Sequence, residues 1–329
     1  MPNVIVLNNI HLDGLRLLEA EPGYAVTRPA EITPALLADR LPDADGIIVR
    51  GTPIDRALLD GAPRLRFVCR HGVGYDNVDV PALTERGIVL AVTPDANATS
   101  VAEHALMLML ALSRRVVDFN AGVRAGNWVV PAESRTSDLA GCTVLIVGLG
   151  RIGGRTARLC AAFGMHVLIH DPYVPANTVS ALGFEPVPDL AAALGRADIV
   201  SLHLPSDSTT RGTIGTAFLA AMKPGALLVN TARGTLVDEA ALEAALRSGH
   251  LAGAGLDVVH DEPMRAPIPL LALDSVVVTP HVAASTRQGL HRMALAAAGN
   301  TIDFFAGRLN PSAVINRELL ADGRQPARG

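Results

Sequence analysis

Two kinds of apolar pattern alternate along this 329-residue chain. Short, almost continuous apolar runs are typical of strands buried on both faces of a sheet, and apolar residues spaced three or four positions apart are typical of amphipathic helices. Near the amino end, such runs predict strands at 4–7, 46–49, 66–69 and 89–92. We therefore expect a small α/β domain in the first part of the chain.

Strands and helices alternate more regularly in the middle of the chain. The patterns predict six strands, at 143–147, 166–170, 198–204, 226–230, 255–259 and 275–279, and helices at 151–163, 188–196, 214–222 and 238–248. Helical crossovers between consecutive strands make those strands parallel. The expected fold class is α/β, with a doubly wound parallel sheet of the Rossmann type.

Two long helical segments, 100–120 and 287–306, flank this sheet. We expect the second to return to the first domain, so that the chain crosses twice between two domains that have a cleft between them. The predicted Rossmann domain spans 100–286. It is inserted in a smaller, flavodoxin-like domain formed by 1–99 and 287–329.

A glycine motif lies at the first turn of the predicted Rossmann sheet. The sequence Gly148-Leu149-Gly150-Arg151-Ile152-Gly153 follows the strand at 143–147 and opens the helix at 151–163. In Gly-x-Gly-x-x-Gly motifs the first glycine makes a tight turn, the second lets the backbone approach a pyrophosphate, and the third lets the helix pack closely. The helix start also offers free N–H groups to phosphate. The motif predicts a dinucleotide site.

An acidic residue, Asp171, follows the next strand about 20 residues after the motif. Its carboxylate is expected to accept hydrogen bonds from the ribose hydroxyls of the adenosine. A 2′-phosphate in that place would be repelled, and no Arg or Lys follows within several residues to neutralise it. We therefore expect NAD (NADH) rather than NADP.

A second Gly-x-Gly pair, Gly72 and Gly74, lacks this context. Asn77 stands where the third glycine would be, and no acidic-ended strand follows at the right distance. We interpret this segment as a loop.

Composition narrows the class of protein. The chain is 49% apolar and 18% charged, and its 28 basic and 32 acidic residues give a net charge of −4. These values favour a soluble globular protein and give no indication of nucleic acid or an anionic membrane as a partner. The amino end enters a strand directly, and no apolar stretch reaches about 18 residues, so neither a signal peptide nor a membrane span is expected.

The cysteine and histidine positions argue against a metal or disulfide framework. Cys69, Cys142 and Cys160 are odd in number and stand in apolar surroundings, as expected of reduced thiols in a cytoplasmic protein. His166 and His170 are four positions apart on a strand rather than on a helix, so we predict no metal site there or elsewhere.

Three polar residues follow the last three predicted strands. Arg233, Glu262 and His281 stand where ligands of open parallel sheets bind, beyond the carboxyl ends of the strands. Arg can bind a carboxylate with two hydrogen bonds, and His can exchange a hydroxyl proton near neutral pH. A neighbouring carboxylate stabilises the protonated imidazole. The set predicts catalysis of hydride transfer to or from a small 2-hydroxy acid.

At these residues the chain resembles the D-isomer-specific 2-hydroxyacid dehydrogenases, a family that includes phosphoglycerate dehydrogenases and glyoxylate or hydroxypyruvate reductases. The similarity extends from about residue 46 to Asn316. The matching segments are 70–77, Asn97 with 100–104, Trp128, 148–153, 203–205, 230–234, 255–258 and 280–281.

The resemblance implies a role for each matching residue. Arg233 would bind the substrate, His281 would be the acid and base, and Glu262 would be its carboxylate partner. Formate dehydrogenases of the family have Gln at the position of Glu262, so formate is not expected. The resemblance further implies substrate contacts at Arg50, at the backbone of Val73 and Gly74, and at Asn97, and cofactor contacts at His203, Thr231, Ala232 and Asp257.

Two questions stay open at this stage. Arg50 occurs in family members that act on phosphorylated acids and in those that act on unphosphorylated ones. The family also contains NADH-sensing corepressors, which keep the catalytic residues but act as dimeric binding proteins. A separate expectation concerns assembly. The apolar helix near 101–112, together with the resemblance, implies a homodimer formed by the cofactor domains.

Overall fold

The computed structural model describes residues 1–128 and 136–321. The chain forms two compact units, one of Met1–Asn97 with Ser285–Gly329 and the other of Ala98–Ala284. Each predicted domain boundary lies two residues from the corresponding boundary of these units. The polar tail after Leu320 lies, beyond Ala321, outside the described residues.

The first unit contains a parallel sheet. Its elements before the crossing are β1 (Asn3–Leu7), α1 (Leu12–Glu19), β2 (Ala25–Thr27), α2 (Pro34–Arg40), β3 (Gly46–Val49), α3 (Arg56–Asp60), β4 (Phe67–Arg70), α4 (Val80–Glu85) and β5 (Val89–Ala91). The strand order is β2-β1-β3-β4-β5, which is the flavodoxin-like order. The sequence missed β2, because this short edge strand has no fully buried residue and therefore no apolar run.

The second unit contains the larger parallel sheet. Its elements are α5 (Ala98–Ser113), α6 (Val116–Arg124), β6 (Thr143–Val147), α7 (Arg151–Ala162), β7 (His166–His170), α8 (Ala176–Ala181), β8 (Glu185–Pro186), α9 (Leu190–Leu194), β9 (Ile199–Leu202), α10 (Thr216–Ala221), β10 (Ala226–Asn230), α11 (Glu239–Arg247), β11 (Leu251–Leu256) and β12 (Val276–Val278). The strand order is β12-β11-β10-β9-β6-β7-β8. The doubly wound Rossmann-type sheet is therefore confirmed.

Two details of this sheet differ from the prediction. The sheet has seven strands rather than six, because the two-residue strand β8 adds an edge that is too short to give a sequence pattern. Strand β11 begins at Leu251 rather than at residue 255. The glycines of this strand interrupt the apolar run from which its start would have been predicted. Packing requires them, since a Cβ on Gly255 would lie 3.0 Å from Cβ of Leu108 in α5.

The predicted helix at 100–120 is two helices. Helix α5 ends at Ser113 and α6 begins at Val116, and between them Arg115 has a left-handed backbone with φ of 49°. No Gly or Pro marks this break in the sequence. The apolar residues of α5 pack against α7, β10, β11 and β12 within the same unit. Packing within the unit therefore accounts for the apolar residues of α5, and a second subunit is not needed to explain them.

After the second crossing the chain forms α12 (Arg287–Phe305) and α13 (Glu318–Ala321) in the first unit. Helix α12 packs on α1, β3 and β4, and the Phe304 ring stacks on Phe67 with centroids 4.4 Å apart. The carboxyl-terminal part of the chain thereby completes the core of the amino-terminal sheet. Among the described residues, no helix has the length and apolarity needed to cross a membrane.

Candidate active site

The glycine motif has the geometry that its spacing predicts. Gly148 follows β6 with φ of 98°, and a Cβ there would lie 2.7 Å from the His203 carbonyl oxygen. A Cβ on Gly153 would lie 2.0 Å from the Gly148 oxygen, so a side chain would force α7 away from the turn. A Cβ on Gly150 would meet nothing within 4 Å, which leaves the motif open on that side.

Helix α7 begins directly at this open turn. Gly150 is its N-cap residue, and no side chain caps it. Arg151 and Ile152 are its first two residues. The arrangement is a backbone cradle of the kind that accepts a phosphate, because the first N–H groups of a helix have no intrahelical acceptor.

Asp171 is held against the same turn. Its Oδ2 accepts a hydrogen bond of 2.8 Å from the Leu149 N–H, and its Oδ1 accepts one of 2.9 Å from the Tyr173 N–H. Each carboxylate oxygen can accept a further bond. The second strand of the motif therefore presents a fixed negative charge beside the glycine turn.

His203 lies beside the glycine motif, one residue beyond β9. Its N–H donates to the Val147 carbonyl over 2.8 Å, and its Nε2 lies 2.9 Å from the hydroxyl of Ser201. Burial lowers the pKa of His203 to about 4, so the ring is neutral near neutral pH. The ring can therefore contact a ligand at the motif without adding a charge.

The turn after β10 carries Thr231, Ala232 and Arg233. Buried Asn230 fixes this turn, since its amide donates to the Arg233 carbonyl over 2.8 Å and its Oδ1 accepts from the Ala232 N–H over 3.0 Å. Gly234 is packed against the Val259 backbone, where a Cβ would lie 1.9 Å from the carbonyl oxygen. The sequence pointed to the whole segment but assigned no role to Asn230.

Thr231 has a buried hydroxyl with no hydrogen-bond partner in the described part of the chain. An unsatisfied buried hydroxyl is costly and commonly marks a site that a ligand completes. Arg233 donates from Nη1 to the Ala232 carbonyl over 2.6 Å, which anchors one side of its guanidinium.

His281 and Glu262 form a direct pair. His281 Nδ1 lies 2.5 Å from Glu262 Oε2, while Glu262 Oε1 accepts a 2.9 Å hydrogen bond from the Val259 N–H. Burial raises the pKa of Glu262, but the hydrogen bond and charge of His281, the Val259 N–H and the charge of Arg233 outweigh it and leave the pKa below its usual value. The carboxylate is therefore ionised near neutral pH, and the three predicted catalytic residues interact within one unit.

Asp257 anchors the loop that carries His281. It is 1% exposed; its Oδ1 accepts from the Thr279 hydroxyl and the Val282 N–H, and its Oδ2 accepts from the Ala283 N–H. The His281 N–H donates to the Asp257 carbonyl over 2.8 Å. The sequence predicted a cofactor contact for Asp257; the contacts in the structure give it a positioning role.

His104 extends this network, and the sequence did not identify its role. Its Nε2 lies 2.9 Å from the Thr279 hydroxyl and 3.5 Å from Asp257 Oδ1. Burial lowers the pKa of His104, although the charge of Asp257 acts in the opposite direction. No spacing rule links positions 104, 257 and 279, so only the packing of α5 beside β11 and β12 reveals the contact.

The other predicted substrate contacts lie in the first unit, after the carboxyl ends of β3, β4 and β5. Arg50 Nη2 lies 3.4 Å from the Ser285 hydroxyl, and the Asn97 Oδ1 is buried without a partner among the described residues. Val73 and Gly74 lie in a loop, as predicted for this segment, and the Gly72 carbonyl of that loop accepts from the Thr93 N–H beyond β5. The structure thus groups these four residues at one edge of the first sheet.

His71 and the cysteines do not add reactive groups to the site. Burial, with the charges of Arg50 and Arg70, lowers the pKa of His71 to about 4. Burial raises the pKa of both Cys69 and Cys160 to about 12, so neither is a thiolate near neutral pH. All three cysteines are free.

Comparison with known proteins agrees with this geometry. Residues 106–283 match the family model described as D-isomer specific 2-hydroxyacid dehydrogenase, NAD binding domain. The chain is similar to a D-3-phosphoglycerate dehydrogenase from Mycobacterium leprae, with 46% identity over 83% of this chain and 52% of that protein. The chain therefore spans about half the length of that relative.

Other relatives match along nearly their whole length. A glyoxylate reductase from Korarchaeum cryptofilum is 39% identical over 97% of this chain and 97% of its own. The solved structure of a glyoxylate reductase from Paecilomyes thermophila has a TM-score of 0.86 and 30% identity over 96% of this chain and 99% of its own.

Proposed function

Because the chain belongs to the D-isomer-specific 2-hydroxyacid dehydrogenase family, we propose that it is an NAD-dependent enzyme that interconverts a D-2-hydroxy acid and its 2-oxo acid. The observation that carries the proposal is the 2.5 Å hydrogen bond between His281 and Glu262, in the same unit as the glycine motif. An imidazole paired with an ionised carboxylate is suited to give and take the hydroxyl proton. We propose the cytoplasm as its location, in keeping with the three free cysteines.

The residues of the second unit fit a dinucleotide. The open turn at Gly150, the uncapped start of α7 and the carboxylate of Asp171 offer a phosphate cradle and a ribose acceptor side by side. The unpartnered hydroxyl of Thr231 offers a further contact, with Ala232 beside it. When bound, NADH would supply the hydride that reduces the 2-carbon of the acid.

The chain's own residues would perform the remaining steps. The guanidinium of Arg233 binds the substrate carboxylate and polarises the carbonyl group. Protonated His281 donates its proton to the carbonyl oxygen, and Glu262 stabilises the protonated ring until that transfer. In the oxidative direction His281 takes the hydroxyl proton back. We also propose that Arg50, Val73, Gly74 and Asn97 contact the acid.

The test is NADH oxidation with a panel of 2-oxo acids: glyoxylate, hydroxypyruvate, pyruvate and 3-phosphohydroxypyruvate. We expect rapid turnover of at least one acid and a fall in kcat of about 100-fold or more in His281→Ala, with NADH binding retained. His166→Ala is the matched control, since His166 is exposed at the start of β7.

Two results would contradict the proposal. Near-normal turnover in His281→Ala would remove this residue from the mechanism. Tight NADH binding without turnover of any acid would instead favour the corepressor-like alternative. The panel also separates phosphorylated from unphosphorylated substrates, which Arg50 by itself does not.

A homodimer is the proposed assembly, and α6 supports it. Val116, Phe119 and Val123 are 52%, 41% and 49% exposed, and their spacing places them on one face of the helix. Helix α6 has no buried residue, so the described part of its own chain leaves this apolar face partly exposed. Exposed apolar faces of this kind are commonly covered by a second subunit.

A further inference from the structure

Two histidines and an aspartate come together in the first unit, between α1 and α12. Asp13 Oδ2 lies 3.1 Å from His291 Nε2 and 3.6 Å from His11 Nδ1. The three ligand-type atoms, one from each residue, all lie within 4.8 Å of one another. His291 stands 278 positions from Asp13, and the sequence predicted no metal site here.

The Asp13 carboxylate contacts both imidazoles of the cluster. His11 Nδ1 accepts a long bond of 3.3 Å from the Asp13 N–H, and His291 Nε2 is hydrogen-bonded to Asp13 Oδ2 over 3.1 Å, contacts that a bound ion would replace. The second oxygen of Asp13, Oδ1, is bound to Arg16 over 3.2 Å, which leaves Oδ2 to face both imidazoles. The rings of His11 and His291 meet edge to face with centroids 4.8 Å apart, rather than stacking.

The helix backbones hold these residues at a fixed spacing. A Cβ on Gly14 would lie 2.7 Å from the Ala294 carbonyl oxygen, so α1 and α12 are in backbone contact next to the cluster. Because Gly14 follows Asp13 and Ala294 lies one turn from His291, the ligands cannot drift apart without breaking this contact. The spacing is therefore set by the core of the unit rather than by flexible side chains.

We propose that His11, Asp13 and His291 form a binding site for a divalent transition-metal ion of the zinc type. Two imidazole nitrogens and one carboxylate oxygen are ligands that Zn²⁺ prefers, with water in the fourth position. Bonds of about 2.0–2.1 Å in a tetrahedron place neighbouring ligand atoms roughly 3.3–3.4 Å apart. The distances from Asp13 Oδ2 to the two nitrogens, 3.1 Å and 3.6 Å, bracket that value, and the three ligand atoms all lie within 4.8 Å of one another.

The site would act on the fold rather than on the reaction. It joins the start of α1 to α12, which follows the second crossing, so a bound ion would fasten α12 to the amino-terminal part of the same unit. An ion that binds the folded state and not the unfolded one raises the melting temperature. This role is independent of the proposed dehydrogenase activity.

The experiment uses the full chain without a histidine tag, freed of metal with a chelator and titrated with Zn²⁺ and with Co²⁺. We expect one ion per chain by calorimetry and a visible Co²⁺ absorption band typical of a tetrahedral nitrogen and oxygen site. Zn²⁺ should raise the melting temperature. Asp13→Asn, His11→Ala and His291→Ala should each weaken binding by at least about 10-fold, since loss of a residue that only supports a metal ligand already costs that much.

Two control variants keep the result interpretable. His291→Gln keeps a donor for Asp13 but is a poor zinc ligand, so it should fold as the unaltered chain does and lose metal binding. His166→Ala should bind the ion normally, because this residue lies in the other unit. The absence of saturable Zn²⁺ binding would overturn the proposal, and so would full affinity in both His291 variants. In either case the cluster is a hydrogen-bonded link between the helices only.

Discussion

A single buried carboxylate, Asp257, holds the loop that carries His281. Three donors from residues 279–283 converge on its two oxygens, and the chain there turns through a left-handed His281 with φ of 51°. A left-handed backbone is uncommon for a residue with a side chain and persists only where neighbouring contacts enforce it. The position of His281, the proposed acid–base residue, is therefore a product of the hydrogen bonds around Asp257.

The charge of Glu262 has a predictable effect on the pH dependence of catalysis. Glu262 is ionised near neutral pH because its pKa lies below the usual value, and its charge stabilises protonated His281. Reduction needs that protonated form. In Glu262→Gln the protonated ring loses its counter-charge, so the pH profile for reduction should move toward lower pH.

The measurement is kcat/KM for 2-oxo acid reduction as a function of pH. Asp261→Asn is the control, since it removes a charge from the adjacent, exposed residue without touching His281. The Gln side chain can still accept from the Val259 N–H, so the loop should stay in place. A profile that moves toward higher pH would contradict the pairing.

At the level of elements, the segment β6-α7-β7 has two linked features. Its first turn leaves no room for a side chain at Gly148 or Gly153, and a carboxylate is held beside that turn. Gly148 and Gly153 are required because a Cβ at either position would collide with backbone atoms. Asp171 binds the turn through the Leu149 N–H, so the turn and the acid form one rigid motif. This motif would select the cofactor by charge and by hydrogen bonding.

The cofactor preference gives a prediction at this scale. We expect kcat/KM to be much higher with NADH than with NADPH. Asp171→Ala should lower the ratio of kcat/KM with NADH to kcat/KM with NADPH by roughly 10-fold or more. The hydrogen bond to the charged carboxylate that NADH loses contributes about 1.5–3 kcal/mol, and the repulsion of the 2′-phosphate of NADPH is removed as well. Asp171→Asn keeps an acceptor for the Leu149 N–H and so separates the loss of charge from the loss of the loop contact. A native preference for NADPH would refute the role given to Asp171.

For the whole molecule, the contrast between α5 and α6 locates the expected subunit contact. The apolar residues of α5 are buried in their own unit, whereas α6 exposes an apolar face. Sedimentation at working concentration should therefore show a dimer of the 34.3 kDa chain. Phe119→Glu should shift the equilibrium from dimer toward monomer, because a charge on the face covered in the dimer would be buried without a partner.

Leu182→Glu is the matched control for this experiment, since Leu182 is 42% exposed and lies outside α6. It should leave the sedimentation behaviour unchanged. A stable monomer for the unaltered chain would refute the homodimer, and a dimer that survives Phe119→Glu would remove α6 from the interface.

The sequence determined those parts of the protein that depend on local pattern. The runs at 143–147, 166–170 and 226–230 are strands with the predicted bounds, because buried parallel strands leave continuous apolar runs. Gly148 to Gly153 and Asp171 could be predicted as a dinucleotide site because their spacing follows from one turn and two adjacent strands. Arg233, Glu262 and His281 could be predicted as catalytic residues because each follows a strand at the same edge of the sheet.

Only the tertiary structure decided what depends on contacts between distant segments. The edge strands β2 and β8 are too short to leave a pattern, and the break at Arg115 has no Gly or Pro to announce it. The contact of His104 with Thr279 and the meeting of His291 with Asp13 arise where separate elements pack together. Such contacts depend on how close two backbones can come, as at Gly14 and Ala294, and that distance is a property of the packed core.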